Sequence, residues 1–268
     1  MAVANGLYLH YLDWGTEGRP PILFLHGALQ QSHSWDFISL SICGDYHTLV
    51  LDARGHGDSQ WASDGDYSLD AHQSDLDGFV EALGLENFIL VGHSMGGRNA
   101  YVYTSRHPEK VKSLVIVDSG PEMGTRGESR IRQFRELPDN LDSYQEFASR
   151  IQEYTGRSRE QVLGALKYSI RENPDGKWTW KYDKLLRVPG YRPPSWDAEK
   201  LWECVSGISC PTLIVRGSES DIFSSEVMER MLRLIPRSSA AIVPGAGHLV
   251  AGDNPAGFLS ALRSFLQE

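Results

Sequence analysis

Cysteine is scarce in this chain: Cys43, Cys204 and Cys210 are the only thiols in 268 residues. An odd count without a C-x-x-C pair fits neither a disulfide framework nor a zinc site, so free thiols in a reducing compartment are expected. Positive charge is also short, with 26 Lys and Arg against 35 Asp and Glu and a formal charge of −9. Such a chain repels phosphate, which argues against nucleic acid and anionic membrane as partners. No apolar run approaches the ~20 residues of a membrane span. The N-terminus lacks the basic-then-apolar order of a secretory signal, so a cytoplasmic protein is expected. Metal and nucleotide motifs are missing too: there is no H-E-x-x-H, no Asp-rich loop and no G-x-G-x-x-G after the first strand-like run. Neither a metal nor a cofactor is expected.

What is present is a set of short apolar runs without alternation: Ile22–Leu25, Thr48–Leu51, Phe88–Val91 and Leu114–Val117. Each ends at a small or polar residue, as in strands buried on both faces of a parallel sheet. Between them, Leu76, Phe79, Val80 and Leu83 fall at helical spacing before Gly84, and a second helix runs from Ser94 to Arg106 before Pro108. Near the C-terminus, strands are expected over Pro211–Gly217 and Ala240–Val243. A helix through Val227, Met231 and Leu234 lies between them, and another runs from Pro255 to Leu266. Strands alternating with helices give βαβ units and a mostly parallel sheet flanked by helices, an α/β fold.

The stretch from 121 to 207 differs. It is richer in charge, with one amphipathic helix through Tyr144, Phe147, Ala148 and Ile151. A capping-box sequence at Ser158–Gln161 starts another, and Trp178, Trp180 and Tyr182 alternate as in a short strand. It reads as a mainly helical cap inserted into a core domain of residues 1–120 and 208–268. Its tryptophans, Trp178, Trp180, Trp196 and Trp202, are expected to fill a small core rather than line a pocket.

Gly92-His93-Ser94-Met95-Gly96 fits G-x-S-x-G. The pattern alone is weak, but here it follows an apolar run and opens a small-residue helix, the strand–turn–helix setting that projects a serine above a sheet. Ser94 is therefore the expected nucleophile. It needs a base, and His248, on a glycine-rich loop after the last strand, suits the chain order Ser, acid, His. The acid is expected on a loop after an intervening strand. Asp221, four residues past Gly217, is the choice, with Glu219 a lesser candidate and Asp118 the serious rival because it ends the strand after the nucleophile helix. A buried carboxylate there fixes the histidine tautomer. An oxyanion needs two fixed N–H donors, expected from Met95 and from Ala28 in the loop after the first buried strand. Asp52-Ala53-Arg54-Gly55-His56-Gly57-Asp58-Ser59 reads as a structural loop.

Together, Leu25-His26-Gly27, Asp52-x-Arg54-Gly55-His56-Gly57-x-Ser59, Gly92-His93-Ser94-Met95-Gly96-Gly97 and Gly247-His248 resemble the α/β-hydrolase superfamily over nearly the whole chain. The resemblance implies a serine hydrolase of the carboxylesterase or haloperoxidase-like branch, acting on a small-molecule ester or lactone. Dehalogenases and epoxide hydrolases carry aspartate where Ser94 stands. The meta-cleavage C–C bond hydrolases share the serine triad but usually have tryptophan after the histidine, where this chain has Leu249. A C–C bond hydrolase and a non-catalytic ligand receptor on the same fold are the alternatives, and a homodimer is left open.

Overall fold

The apolar runs become the strands of one sheet because each has both faces to bury. The computed structural model describes residues 1–137, 139–155 and 158–267. Its strands are β1 (Ala2–Ala4), β2 (Leu7–Leu9), β3 (Tyr11–Asp13), β4 (Pro21–Leu25), β5 (His47–Leu51), β6 (Phe88–His93), β7 (Val111–Val117), β8 (Ile170–Glu172), β9 (Trp178–Trp180), β10 (Thr212–Gly217) and β11 (Ser238–Val243). Its helices are α1 (Asp36–Ile42), α2 (Leu69–Ala82), α3 (Met95–Arg106), α4 (Thr125–Glu136), α5 (Tyr144–Thr155), α6 (Arg159–Ser169), α7 (Ala198–Ser206), α8 (Ser225–Leu234), α9 (Val250–Asp253) and α10 (Pro255–Leu266). Seven strands form the main sheet in the order β11-β10-β7-β6-β4-β5-β3, and only the β3–β5 pairing is antiparallel. The fold class is thus the expected α/β architecture with a mostly parallel sheet.

Side chains along a strand alternate between two apolar clusters. Leu23, Leu25, Leu90, Leu114 and Ile116 join residues of α2, α3, α7 and α8 on one face. Ile22, Phe24, Ile89, Val91, Val115 and Val117 join α1 and α10 on the other. Both faces are therefore covered by helices, which is why the runs show no polar alternation. At roughly 25 cal/mol per Å² of buried apolar surface, these strands supply much of the stabilisation of the fold.

The stretch between β7 and β10 builds a third cluster from Phe147, Ala148, Val162, Leu166, Ile170, Trp180, Tyr182 and Leu186, with Ala62 and Tyr67 against it. A capping box at Ser158 and Gln161 starts α6. Within this stretch, residues 138, 156 and 157 lie outside the described residues. One helix departs from the expected boundary: α7 places Leu201, Trp202 and Val205 in the cluster of the main sheet, so the chain is back on the core before residue 207. No helix among the described residues is long and apolar enough to cross a membrane.

The parallel strands leave their carboxyl ends along one rim. Gly27, Asp52, Ser94, Asp118, Ser218 and the loop to His248 all follow such ends. A crevice outside those ends is where an open α/β sheet binds ligands.

Candidate active site

Ser94 stands between the last residue of β6 and the first of α3, with φ 53° and ψ −113°. That backbone costs about 1–3 kcal/mol for a residue with a side chain. The turn brings backbone onto backbone: a Cβ on Gly92 would lie 2.2 Å from the Gly96 carbonyl oxygen, and one on Gly96 2.5 Å from that of Leu25. These contacts are the physical need behind the two glycines. The Ser94 N–H donates to the Val117 carbonyl at 3.0 Å, and the Ser119 hydroxyl donates to the Ser94 carbonyl at 2.7 Å.

His248 returns to this turn from the loop after β11. Its Nε2 lies 2.9 Å from Ser94 Oγ, and its Nδ1 lies 2.7 Å from Asp118 Oδ2. In the neutral ring with Nδ1–H donating to the carboxylate, Nε2 is free to accept the serine hydroxyl.

The carboxylate at His248 corrects the expectation of Asp221. β7 is the sheet neighbour of β6, so the residue that ends β7 stands beside the serine turn, whereas β10 is one strand further away. Asp118 is fully buried, with φ 49°. The loop after β10 serves it instead of replacing it. Gly217 N–H donates to Asp118 Oδ1 at 3.0 Å, and the Ser220 hydroxyl donates to Oδ2 at 2.6 Å. Asp221 is half-buried, and its carbonyl oxygen lies under Gly124, where a Cβ would approach to 2.5 Å. Sequence reasoning missed the roles of Gly217 and Ser220, since neither belongs to a motif.

The histidines around the site hold loops in place. His93 Nε2 lies 2.8 Å from the His248 carbonyl and Nδ1 3.0 Å from Gln30 Oε1, tying the histidine loop to the loop after β4. Burial, with His248 nearby, pushes His93 down to about 3, so the ring is neutral. His26 joins the ends of β4 and β5 through Gly27 carbonyl and Ala53 N–H. In the Asp52–Ser59 loop, Asp52 accepts from the Ser32 and Asp58 N–H groups, and Arg54 forms a buried two-pronged pair with Asp75 at 2.6 Å on each prong.

The loop after β4 folds into a turn in which Gly27 N–H is taken by Gln30 Oε1 at 2.8 Å. Neither the Ala28 N–H nor the Met95 N–H has an acceptor among the described residues. Both residues border the same cavity as Ser94. Met95 is also the first residue of α3, where the helix end favours negative charge.

That cavity is about 490 Å³. Its floor includes Ser94 and Phe223, and its walls come from α4 and from residues 186–193, both in the stretch between β7 and β10. None of Trp178, Trp180, Trp196 and Trp202 lines it. His56, in the loop read from sequence as structural, lines it together with His72, and burial pushes His56 down to about 3. His56 Nδ1 faces the Arg54 carbonyl at 2.9 Å, while its buried Nε2 has no partner among the described residues. Arg98, one helical turn beyond Ser94, also lines the cavity.

Residues 20–255 match the family model described as the alpha/beta hydrolase fold. The chain is 29% identical to an sn-1-specific diacylglycerol lipase of Mus musculus, over 94% of this chain and 82% of that protein. It is 28% identical to an esterase of Mycobacterium tuberculosis, over 95% of this chain and 85% of the other. The crystal structure of an alpha/beta hydrolase from Novosphingobium aromaticivorans superimposes with a TM-score of 0.84 at 26% identity, covering 100% of this chain and 96% of that one.

Proposed function

This chain belongs to the alpha/beta hydrolase fold family, and from that premise we propose that it is a serine hydrolase that cleaves small carboxylic esters or lactones through an acyl-enzyme. Ser94 is the nucleophile, His248 the general base and Asp118 the carboxylate that orients it. The observation that carries this reading is the continuous hydrogen-bond chain from Ser94 Oγ through His248 to Asp118, opening into a cavity. Relatives named as a lipase and an esterase support ester cleavage.

His248 Nε2 takes the hydroxyl proton as Ser94 Oγ attacks the carbonyl carbon. The charge that develops on the carbonyl oxygen is met by the N–H groups of Ala28 and Met95, each such donor being worth about 2.7–4 kcal/mol. The imidazolium then returns its proton to the departing alcohol oxygen as the C–O bond breaks, leaving an ester on Ser94. A water, deprotonated by His248, adds to that ester and releases the acid, restoring the serine hydroxyl. The residues from 121 to the start of α7 form the cap that closes the acyl site.

Ser94→Ala tests the reading. The variant is expected to fold, to lose p-nitrophenyl ester turnover and to lose labelling by a fluorophosphonate probe. Full ester turnover in that variant would refute the assignment.

A further inference from the structure

Five arginines border the cavity of a chain whose net charge is −9: Arg98, Arg132, Arg135, Arg187 and Arg192. They are not equally committed. Arg187 is spoken for, donating to the Tyr182 hydroxyl at 2.6 Å and to the Leu137 carbonyl, with Asp139 3.7 Å away. Arg132 is exposed at the rim. Arg98 and Arg135 are different: each has a buried Nε without a partner, and neither guanidinium has an acceptor or a counter-ion among the described residues.

The cavity's acids do not neutralise them. Asp118 is taken by His248, Ser220 and Gly217. Glu122 accepts from Trp202 Nε1 at 2.7 Å and faces Arg230 at 3.4 Å. Glu136 is exposed. Each arginine stands near a histidine that lines the cavity: Arg98 is close enough to His72, and Arg135 to His56, to push that ring's pKa further down. Burial likewise holds both guanidinium pKa values below the ordinary arginine range. A buried cation without a partner is costly, and a protein retains one where a ligand supplies the missing anion.

We propose that the acyl site takes substrates carrying a free carboxylate, bound by the guanidinium groups of Arg98 on α3 and Arg135 on α4 while the scissile carbonyl sits at Ser94. This rests on the hydrolase reading above and narrows it to half-esters of dicarboxylic acids and carboxylated lactones. The planar fork of a guanidinium matches a carboxylate through two parallel N–H donors. One arginine belongs to the core and the other to the inserted stretch, so the carboxylate bridges the two walls of the cavity. A neutral ester of the same shape leaves both cations unsatisfied.

The test compares monoethyl succinate with ethyl 4-methylpentanoate, whose terminal isopropyl group has the shape of the carboxylate without its charge. Hydrolysis is followed by proton NMR in chloride-free buffer of low ionic strength. Wild type is expected to favour the half-ester at least tenfold in kcat/KM, and Arg98→Met and Arg135→Met each to lower that ratio at least tenfold. Neither variant is expected to lower Tm, because each removes a half-buried guanidinium that has no partner among the described residues; a merely structural arginine would lower Tm and leave the ratio alone. A wild-type ratio at or below one, or a ratio unchanged in both variants, overturns the proposal. If neither ester is cleaved and a fluorophosphonate fails to label Ser94, the hydrolase reading falls by itself. The anion site is then judged by calorimetry with glutarate: binding that Arg98→Met abolishes supports it, and absence of binding overturns it.

Discussion

Replacing Asp118 by asparagine exchanges one carboxylate oxygen for an amide nitrogen and leaves the shape alone. In the wild-type site Oδ1 accepts from Gly217 N–H at 3.0 Å, and Oδ2 accepts from Ser220 at 2.6 Å and from His248 Nδ1–H at 2.7 Å. With the asparagine oxygen kept at Gly217, its NH₂ group faces Ser220 and His248. The Ser220 hydroxyl, whose oxygen already accepts from Ile222 and Phe223 N–H, turns its proton away and loses one hydrogen bond. His248 Nδ1 can accept only by moving its proton to Nε2, and Nε2 then cannot take the proton of Ser94. The fold therefore loses little, about 1 kcal/mol, the usual worth of one hydrogen bond. Catalysis loses its base: the expected fall in kcat is about 10⁴-fold for a wrong tautomer, or about 5 kcal/mol of barrier. Asp221→Asn, made in parallel, is expected to keep kcat/KM within about threefold, the scale of a small surface perturbation. The assay is p-nitrophenyl butanoate hydrolysis at saturating substrate, with Tm recorded for both variants. Retention of more than a tenth of the activity by Asp118→Asn, or a loss of 10³-fold or more in Asp221→Asn at unchanged Tm, would refute the assignment of the acid.

Other measurements bear on the same structure. Ser94→Gly is expected to be more stable than Ser94→Ala by about 1 kcal/mol in urea denaturation, because only glycine relieves the positive φ of 53°; equal stabilities would remove strain from the account of the turn. Stability is expected to fall as pH drops from 7 towards 4. His56 and His93 are held down at about 3 in the folded chain while the unfolded chain protonates near 6.5. The unfolded state thus binds more protons between those values, and each histidine contributes a slope of up to about 1.4 kcal/mol per pH unit. Urea titrations across that range should show the slope, and His93→Gln should flatten it. Arg54→Ala strands the buried carboxylate of Asp75, and a loss of about 3–5 kcal/mol is expected; a loss under 1 kcal/mol in calorimetry would mean that the pair holds nothing.

The sheet was legible because burial on both faces writes itself into sequence as unbroken apolar runs, as at Phe88–Val91. The short elements left no such trace. β1, β2 and β3 have three residues each, too few for a period, although Asn5 and Gly6, both at positive φ between β1 and β2, are a turn pair of the kind that closes hairpins. α1 spans only seven residues and was likewise not anticipated. In the site, Ser94, Met95, Ala28 and His248 each lie in a local pattern of glycines whose reason is local geometry. The acid has no such pattern. Asp118 and Asp221 both precede His248 in the chain and both follow strands, so chain order cannot separate them. Strand order does, because β7 lies against β6 and β10 does not, and strand order is a long-range property. The same holds for Arg98 and Arg135, whose meaning depends on which acids fail to reach them.

The position of the acid also explains what the loop after β10 is for. Having no carboxylate to deliver to His248, it turns its backbone and Ser220 towards Asp118, and Ser220 Oγ in turn accepts from Ile222 and Phe223 N–H at 3.3 and 3.2 Å. The same loop carries the first residues of the inserted stretch: Gly124 N–H donates to the Ile222 carbonyl at 2.8 Å, and a Cβ on Gly127 would strike the Ile222 side chain at 2.1 Å. One short segment, 217–223, therefore holds the Asp118 carboxylate on one side and seats the start of α4 on the other. A displacement at the start of α4 reaches Asp118 through three hydrogen bonds: Gly124 N–H to the Ile222 carbonyl, Ile222 N–H to Ser220 Oγ, and the Ser220 hydroxyl to Asp118 Oδ2. The wall that carries Arg135 and the carboxylate that meets His248 Nδ1 thus share a support, and a shift in one is expected to be felt in the hydrogen-bond chain from Asp118 through His248 to Ser94.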